Sequence, residues 1–102
     1  MKYSLKILPD CIDEILANID WYEDQKPGLG DSFDSDLDKI IYLISGNPLG
    51  YTSIGKDIRK AIIENFPYNV FYIVEDDTIL IIGILHHSRG KKQFRKIARR
   101  KA

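Results

Sequence analysis

The chain has 102 residues, 44% of them hydrophobic and 29% charged, which suits one small globular domain (1–102) with a single modest core. No apolar run approaches the ~20 residues that a bilayer-spanning helix needs, and the lone cysteine, Cys11, excludes an internal disulfide or a cysteine-built metal site. The net charge of zero hides a division: residues 1–57 carry 5 Lys/Arg against 11 Asp/Glu, and residues 58–102 carry 10 against 4.

Tyr3-Ser4-Leu5-Lys6-Ile7-Leu8 alternates apolar and polar residues as a strand does, and Pro9 is expected to end it. Asp10 then serves as an N-cap, with Asp13 and Glu14 in a first turn where the helix dipole favours negative charge. Ile12, Ile15, Leu16, Ile19 and Tyr22 recur at helical spacing and are expected to form one core-facing stripe, with Cys11 packed beside them as a small hydrophobe. Trp21 and Tyr22 are expected to close the helices over a sheet. Pro27-Gly28-Leu29-Gly30 cannot continue the helix, which should stop near Gln25. A second helix starts around Asp31, buries Phe33, Leu37, Ile40, Ile41 and Ile44, and halts at Gly46-Asn47-Pro48. The short link predicts an antiparallel helical hairpin.

Residues 49–56 read as a loop. Three strands follow as an antiparallel meander. The first, about 57–64, sets Ile58 and Ile62 on one face and Arg59, Ala61 and Ile63 on the other. The second is 68–74, and the third, 79–86, is apolar at nearly every position, as expected of a central strand covered on both faces. Gly83 within it marks a bulge or a close backbone approach. The polar turn Glu75-Asp76-Asp77-Thr78 joins these two strands into a rigid platform of the kind on which target-binding residues sit. The order of elements makes an α+β fold with helices on one face of the sheet, the N-terminal strand being expected beside the first strand of the meander.

From Arg89 to Ala102 there are 8 basic residues and no acidic ones, a pattern that points to an acidic or polyanionic partner. This tail (90–102) is helix-capable but has only Phe94, Ile97 and Ala98 as apolar content. It reads either as a short docked helix or as a segment disordered until a partner arrives, and its deletion is expected to leave a folded domain. The N-terminus lacks a signal-peptide pattern, so a cytoplasmic location without membrane attachment is the expectation.

Several features in order carry a further likeness: Trp21-Tyr22 before a turn, Pro27-Gly28-Leu29-Gly30 followed by Phe33, and Asn47-Pro48 closing the second helix. Ile58-Arg59-Lys60 opens a strand, Phe66-Pro67-Tyr68 leads to Val70 and Tyr72, and His86 and Arg89 follow. On these residues the chain resembles the ParE/RelE superfamily of small bacterial toxins from type II toxin–antitoxin systems, over residues 1 to about 97. The resemblance implies a growth-arresting toxin, with plasmid stabilisation as the associated role, held inactive by a cognate antitoxin. It implies no cofactor and no metal. The ParE-like branch binds and poisons DNA gyrase. The RelE-like branch cleaves mRNA on the ribosome, with side chains that activate the ribose 2′-hydroxyl, stabilise the phosphorane and protonate the leaving oxygen.

Two departures favour the ParE-like branch. Asn69 stands where the nuclease pattern has a phosphate-directed arginine, and Phe94, with no proton to give, stands where it has a tyrosine. Target-binding candidates are therefore Arg59, Tyr68, His86, Arg89, Lys91, Lys92 and Arg95. For the nuclease alternative the candidates are Arg59, His87, Arg89 and Lys92. A third alternative is an inactive member that only binds antitoxin. Each candidate also has a plainer role. Consecutive strand residues such as His86 and His87 face opposite ways, so at most one joins a shared site, and a strand-end histidine bonded to backbone is the simpler reading. Arg59 has Glu64 or Glu75 as alternative partners, Arg89 a cap or an ion pair with the acidic helices, and Tyr68 and Tyr72 a core position with a satisfied hydroxyl.

Overall fold

A computed structural model describes residues 3–101. Strand β1 (Ser4–Ile7) leads into helices α1 (Pro9–Gln25) and α2 (Leu29–Gly46). Short strands β2 (Thr52–Ser53) and β3 (Arg59–Ile62) follow, then the long hairpin β4 (Tyr68–Glu75) and β5 (Thr78–His86), and last helix α3 (Lys91–Ala98). Pro9 opens α1 rather than merely ending β1, because a first-turn position needs no N–H and suits proline's fixed φ. Leu8 is consequently the N-cap, and Asp10 lies in the first turn. Between the helices, Gly28 takes a φ of +88°, and the Glu23 carboxylate accepts the N–H groups of Gly28 (2.8 Å) and Gly30 (2.9 Å), capping α2 from its neighbour.

The five strands run in the order β1-β5-β4-β3-β2, antiparallel except where β1 pairs with β5. The expectation that β1 lies beside β3 is thus corrected. Residues 52–53, read as loop, form β2 and occupy the outer edge of β3, so β3 has no free edge. The open edge of apolar β5 takes β1 instead, in the register Leu5↔Ile79 and Ile7↔Ile81. Parallel neighbours need a long crossover, which the helical hairpin begins.

The helices cover one sheet face. Cys11, Ile15, Phe33, Leu37, Ile40 and Ile44 meet Ala61, Val70, Tyr72, Ile79 and Ile81 in one buried layer. Two stripe residues of α1 fall outside it: Ile12 is 42% and Leu16 55% exposed. With Cys11, Ile15 and Tyr22 aimed at the sheet, positions 12 and 16 lie about 80° and about 120° around the helix from their mean direction. Tyr22 stacks on Phe33 at 5.3 Å and meets Phe66 edge-on, whereas Trp21 is exposed and closes nothing over the sheet. The buried Tyr72 hydroxyl donates to the carbonyl of Pro48, which fastens the chain after α2 to the sheet.

Burial pushes the Cys11 thiol up to about 12, and burial likewise pushes the Tyr72 phenol up to about 12. Both protons are therefore held more firmly in the fold than in the unfolded chain. The stability this contributes is complete below the ordinary values of 9.0 and 10.0 and is lost as pH rises towards about 12. The urea midpoint is expected to fall between about pH 8 and about pH 11, and an unchanged midpoint would contradict this account.

A second layer covers the other sheet face. Ile97 of α3 is buried among Ile58, Phe71, Ile73 and Ile82, and the Phe94 ring lies 5.1 Å from Phe71. A bulge makes room for it. Phe71 pairs with Gly83 and Tyr72 with Ile81, leaving Ile82 as an extra residue on β5. Both readings of Gly83 hold, since a Cβ built there would sit 2.7 Å from Ile97 Cγ2. Gly83→Ala is expected to cost about 1–3 kcal/mol through overpacking, measured by urea unfolding, and the double variant with Ile97→Ala should lose less than the sum of the two single losses. The tail is thus a docked helix, and the alternative of a partner-dependent disordered segment is set aside for residues 91–98. Arg100 completes the docking. Its Nη1 and Nη2 bond the Glu14 carboxylate at 3.0 and 2.6 Å, and Nη1 also reaches the Ile82 carbonyl at 3.0 Å.

Candidate functional site

The β4–β5 hairpin ends with Tyr68 paired to His86, and the chain then leaves the sheet through His87-Ser88-Arg89. The two histidines do point opposite ways. His86 faces the helices, with its ring 5.1 Å from Tyr68, and its Nδ1 accepts the Ser88 N–H at 3.0 Å. That is the backbone-bonded role of a strand-end histidine. His87 faces α3's side of the sheet, where its Nε2 lies 3.1 Å from Asn69 Oδ1. An amide oxygen only accepts, so Nε2 carries the proton.

On that side a hollow of about 390 Å³ opens between the sheet and α3. Its floor is Phe71, Leu85, Ile54 and Phe94, and its rim carries Lys60, His87, Arg89 and Lys91. Past Ile54 and Phe94 it runs into a second hollow of about 620 Å³, edged by Lys56, Arg95 and Arg99. The result is an apolar groove with a cationic border. These positions follow from alternation and helix geometry: Lys60 sits between inward Arg59 and Ala61 on β3, and Lys91 and Arg95 lie one turn apart on α3.

The sequence candidates divide across the sheet. Arg59 lies on the helix face, where Nη1 donates to the carbonyls of Tyr51 (2.7 Å) and Leu49 (3.3 Å). It pairs with neither Glu64 nor Glu75; Glu64 instead meets Lys39 at 3.5 Å. Tyr68 and His86 also lie on the helix side, and Tyr68's phenol is pushed up to about 12 by burial and then by Tyr22. Lys91 and Arg95 border the far groove, while Lys92 is exposed and lines neither hollow. Arg89 stands at the corner and borders hollows on both sides. The ion pair with the acidic helices, one of its two plainer roles, is made instead by Arg100. The set Arg59, His87, Arg89 and Lys92 is therefore not gathered at one point. Sequence reasoning missed Lys60, Lys56 and Arg99. The alternation that put Ile58 and Ile62 opposite Arg59 also puts Lys60 there, and was the available signal.

The two-helix hairpin against a five-stranded sheet is the fold that the resemblance to the ParE/RelE toxins implies. The profile of the ParE toxin of the type II toxin–antitoxin system parDE matches residues 5–90, and the chain belongs to that family. Its fold is similar to a chain of the chromosomal ParDE toxin–antitoxin system from P. aeruginosa, with a TM-score of 0.72 at 19% identity, covering 83% of this chain and 96% of that one. It is also similar to the isolated E. coli RelE toxin, with a TM-score of 0.64 at 18% identity and coverage of 95% and 97%. A third likeness is to an E. coli RelE mutant in complex with an antitoxin RelBc peptide, with a TM-score of 0.60 at 17% identity and coverage of 96% and 95%. These likenesses show the fold. No curated protein sequence matches the chain.

Proposed function

We propose that this chain arrests growth by binding DNA gyrase through the groove between the sheet and α3, and that a cognate antitoxin neutralises it in the cytoplasm. Residues 1–102 act in this as one domain, without cofactor or metal. The observation that carries the reading is the make-up of the groove. Its border is cationic and its floor apolar, while His87 is tied to Asn69, His86 is bonded to Ser88, and the ring that α3 adds to the floor is Phe94. Such a surface suits recognition of an acidic macromolecular patch around an aromatic anchor. A ribonuclease needs a proton donor, an acceptor and a phosphate clamp converging on one bond, and Asn69 and Phe94 supply neither clamp nor proton. One observation favours the nuclease alternative: Lys60, His87 and Lys91 border the same hollow.

The test uses the purified protein in a gyrase supercoiling assay and in mRNA cleavage on translating ribosomes. Inhibition without cleavage is expected. Combined Lys60→Glu, Lys91→Glu and Arg95→Glu should weaken inhibition at least about tenfold, because reversed border charges repel what they attracted. His87→Ala should leave inhibition in place. Cleavage that disappears in His87→Ala would replace this reading with the nuclease one, and silence in both assays would leave an antitoxin-binding module.

A further inference from the structure

A third hollow lies on the opposite side of the sheet end, at the corner of α1, the start of β4, the end of β5 and the chain leading into α3. It measures about 410 Å³ and is bordered by Asn18, Trp21, Tyr68, His86 and Arg89. It continues beside Lys96 for about a further 370 Å³. Three features of it have no structural use in the fold. Trp21 is 57% exposed with only an edge on Tyr22. The Arg89 guanidinium has no hydrogen-bond or ion-pair partner among the described residues, although Glu14 lines the same corner, because Glu14 is taken by Arg100. The Asn18 amide borders the same space.

We infer that this corner is a docking site for a segment of a partner protein that seats one carboxylate on Arg89 and an apolar side chain against Trp21. The guanidinium fork matches a carboxylate in two parallel hydrogen bonds, and tryptophan and arginine are among the residue types enriched where protein–protein contacts draw most of their energy. Charge decides the class of partner. Helix α1 forms one wall of the corner, places Glu14 in its lining and carries six acidic residues and no basic one, so a nucleic-acid strand laid across it would meet repulsion. A single carboxylate on a mostly apolar segment meets the cation and avoids that repulsion. The site lies across the sheet from His87 and Lys91 and shares only His86 and Arg89 with the lining of the far groove.

Trp21 is the only tryptophan, so its emission reports on this corner alone. The probe is a blocked peptide holding one glutamate next to one phenylalanine, titrated into the full chain. A saturable change in emission is expected. Replacing the glutamate of the peptide by glutamine, or Arg89→Gln in the protein, should each weaken it about tenfold or more, the worth of a charged hydrogen bond. Lys91→Gln, which lines only the far groove, should leave it within about twofold. The inference is overturned by the absence of a saturable change, by equal response to the two peptides, or by a short oligonucleotide acting at lower concentration than the peptide. The peptide exchange needs no variant, so a misfolded Arg89→Gln chain would not protect the idea.

Discussion

A chain ending at Gly90 is expected to lose cooperative folding, read as a flat urea transition by circular dichroism together with binding of a hydrophobic dye. This reverses the expectation from composition that residues 90–102 are dispensable. Ile97 is 3% exposed, and its loss alone, as in Ile97→Ala, should cost about 2–5 kcal/mol. Truncation also uncovers Ile58, Phe71 and Ile82, and it strips Glu14 of the guanidinium that closes over its carboxylate. Small domains hold only about 5–15 kcal/mol in all, so these losses together consume most of it. A truncated chain with an unshifted midpoint would show that α3 rests on the sheet without supporting it.

Phe33→Ala is the single substitution expected to cost most, about 3–5 kcal/mol in urea unfolding. Phe33 is fully buried, stacked on Tyr22 at 5.3 Å and meeting Phe66 and Tyr68 edge-on at 5.2 and 5.4 Å. These rings tie both helices to the start of β4, and edge-on pairs add to what burial alone contributes. Leu16→Ala, at a position of similar apolar character in the sequence, should change stability by less than about 0.5 kcal/mol because Leu16 is 55% exposed. A loss at Leu16 comparable to that at Phe33 would mean that the outer flank of α1 is covered.

Much of this contrast was legible beforehand. The stripe Phe33, Leu37, Ile40, Ile41 and Ile44 has helical period, and all but the half-buried Ile41 are buried. The α1 stripe shares the period but holds more apolar residues than one face can bury, and periodicity does not say which flank turns outward. That was decided by Cys11 and Ile15 meeting β5. Gly83 inside an otherwise apolar strand announced a bulge or a close approach, and the structure has both.

The candidate site was legible residue by residue but not as a place. Alternation separated His86 from His87 correctly, yet it could not say that Arg59 turns to the Leu49 and Tyr51 carbonyls while Lys60 faces the groove. Asn69 and Phe94 depart from the nuclease pattern in the sequence, and they border one hollow, which only folding brings about.

What the order of residues determined by itself is the kind and sequence of elements: local spacing of apolar side chains, with proline and glycine at the ends, depends on neighbours a few positions away. Contacts between distant segments decided the rest. The pairing of β1 with β5, the seat of α3 and the closure of Arg100 on Glu14, 86 residues away, depend on which edge, face or charge is left unoccupied once the hairpin has formed. No local pattern encodes that vacancy.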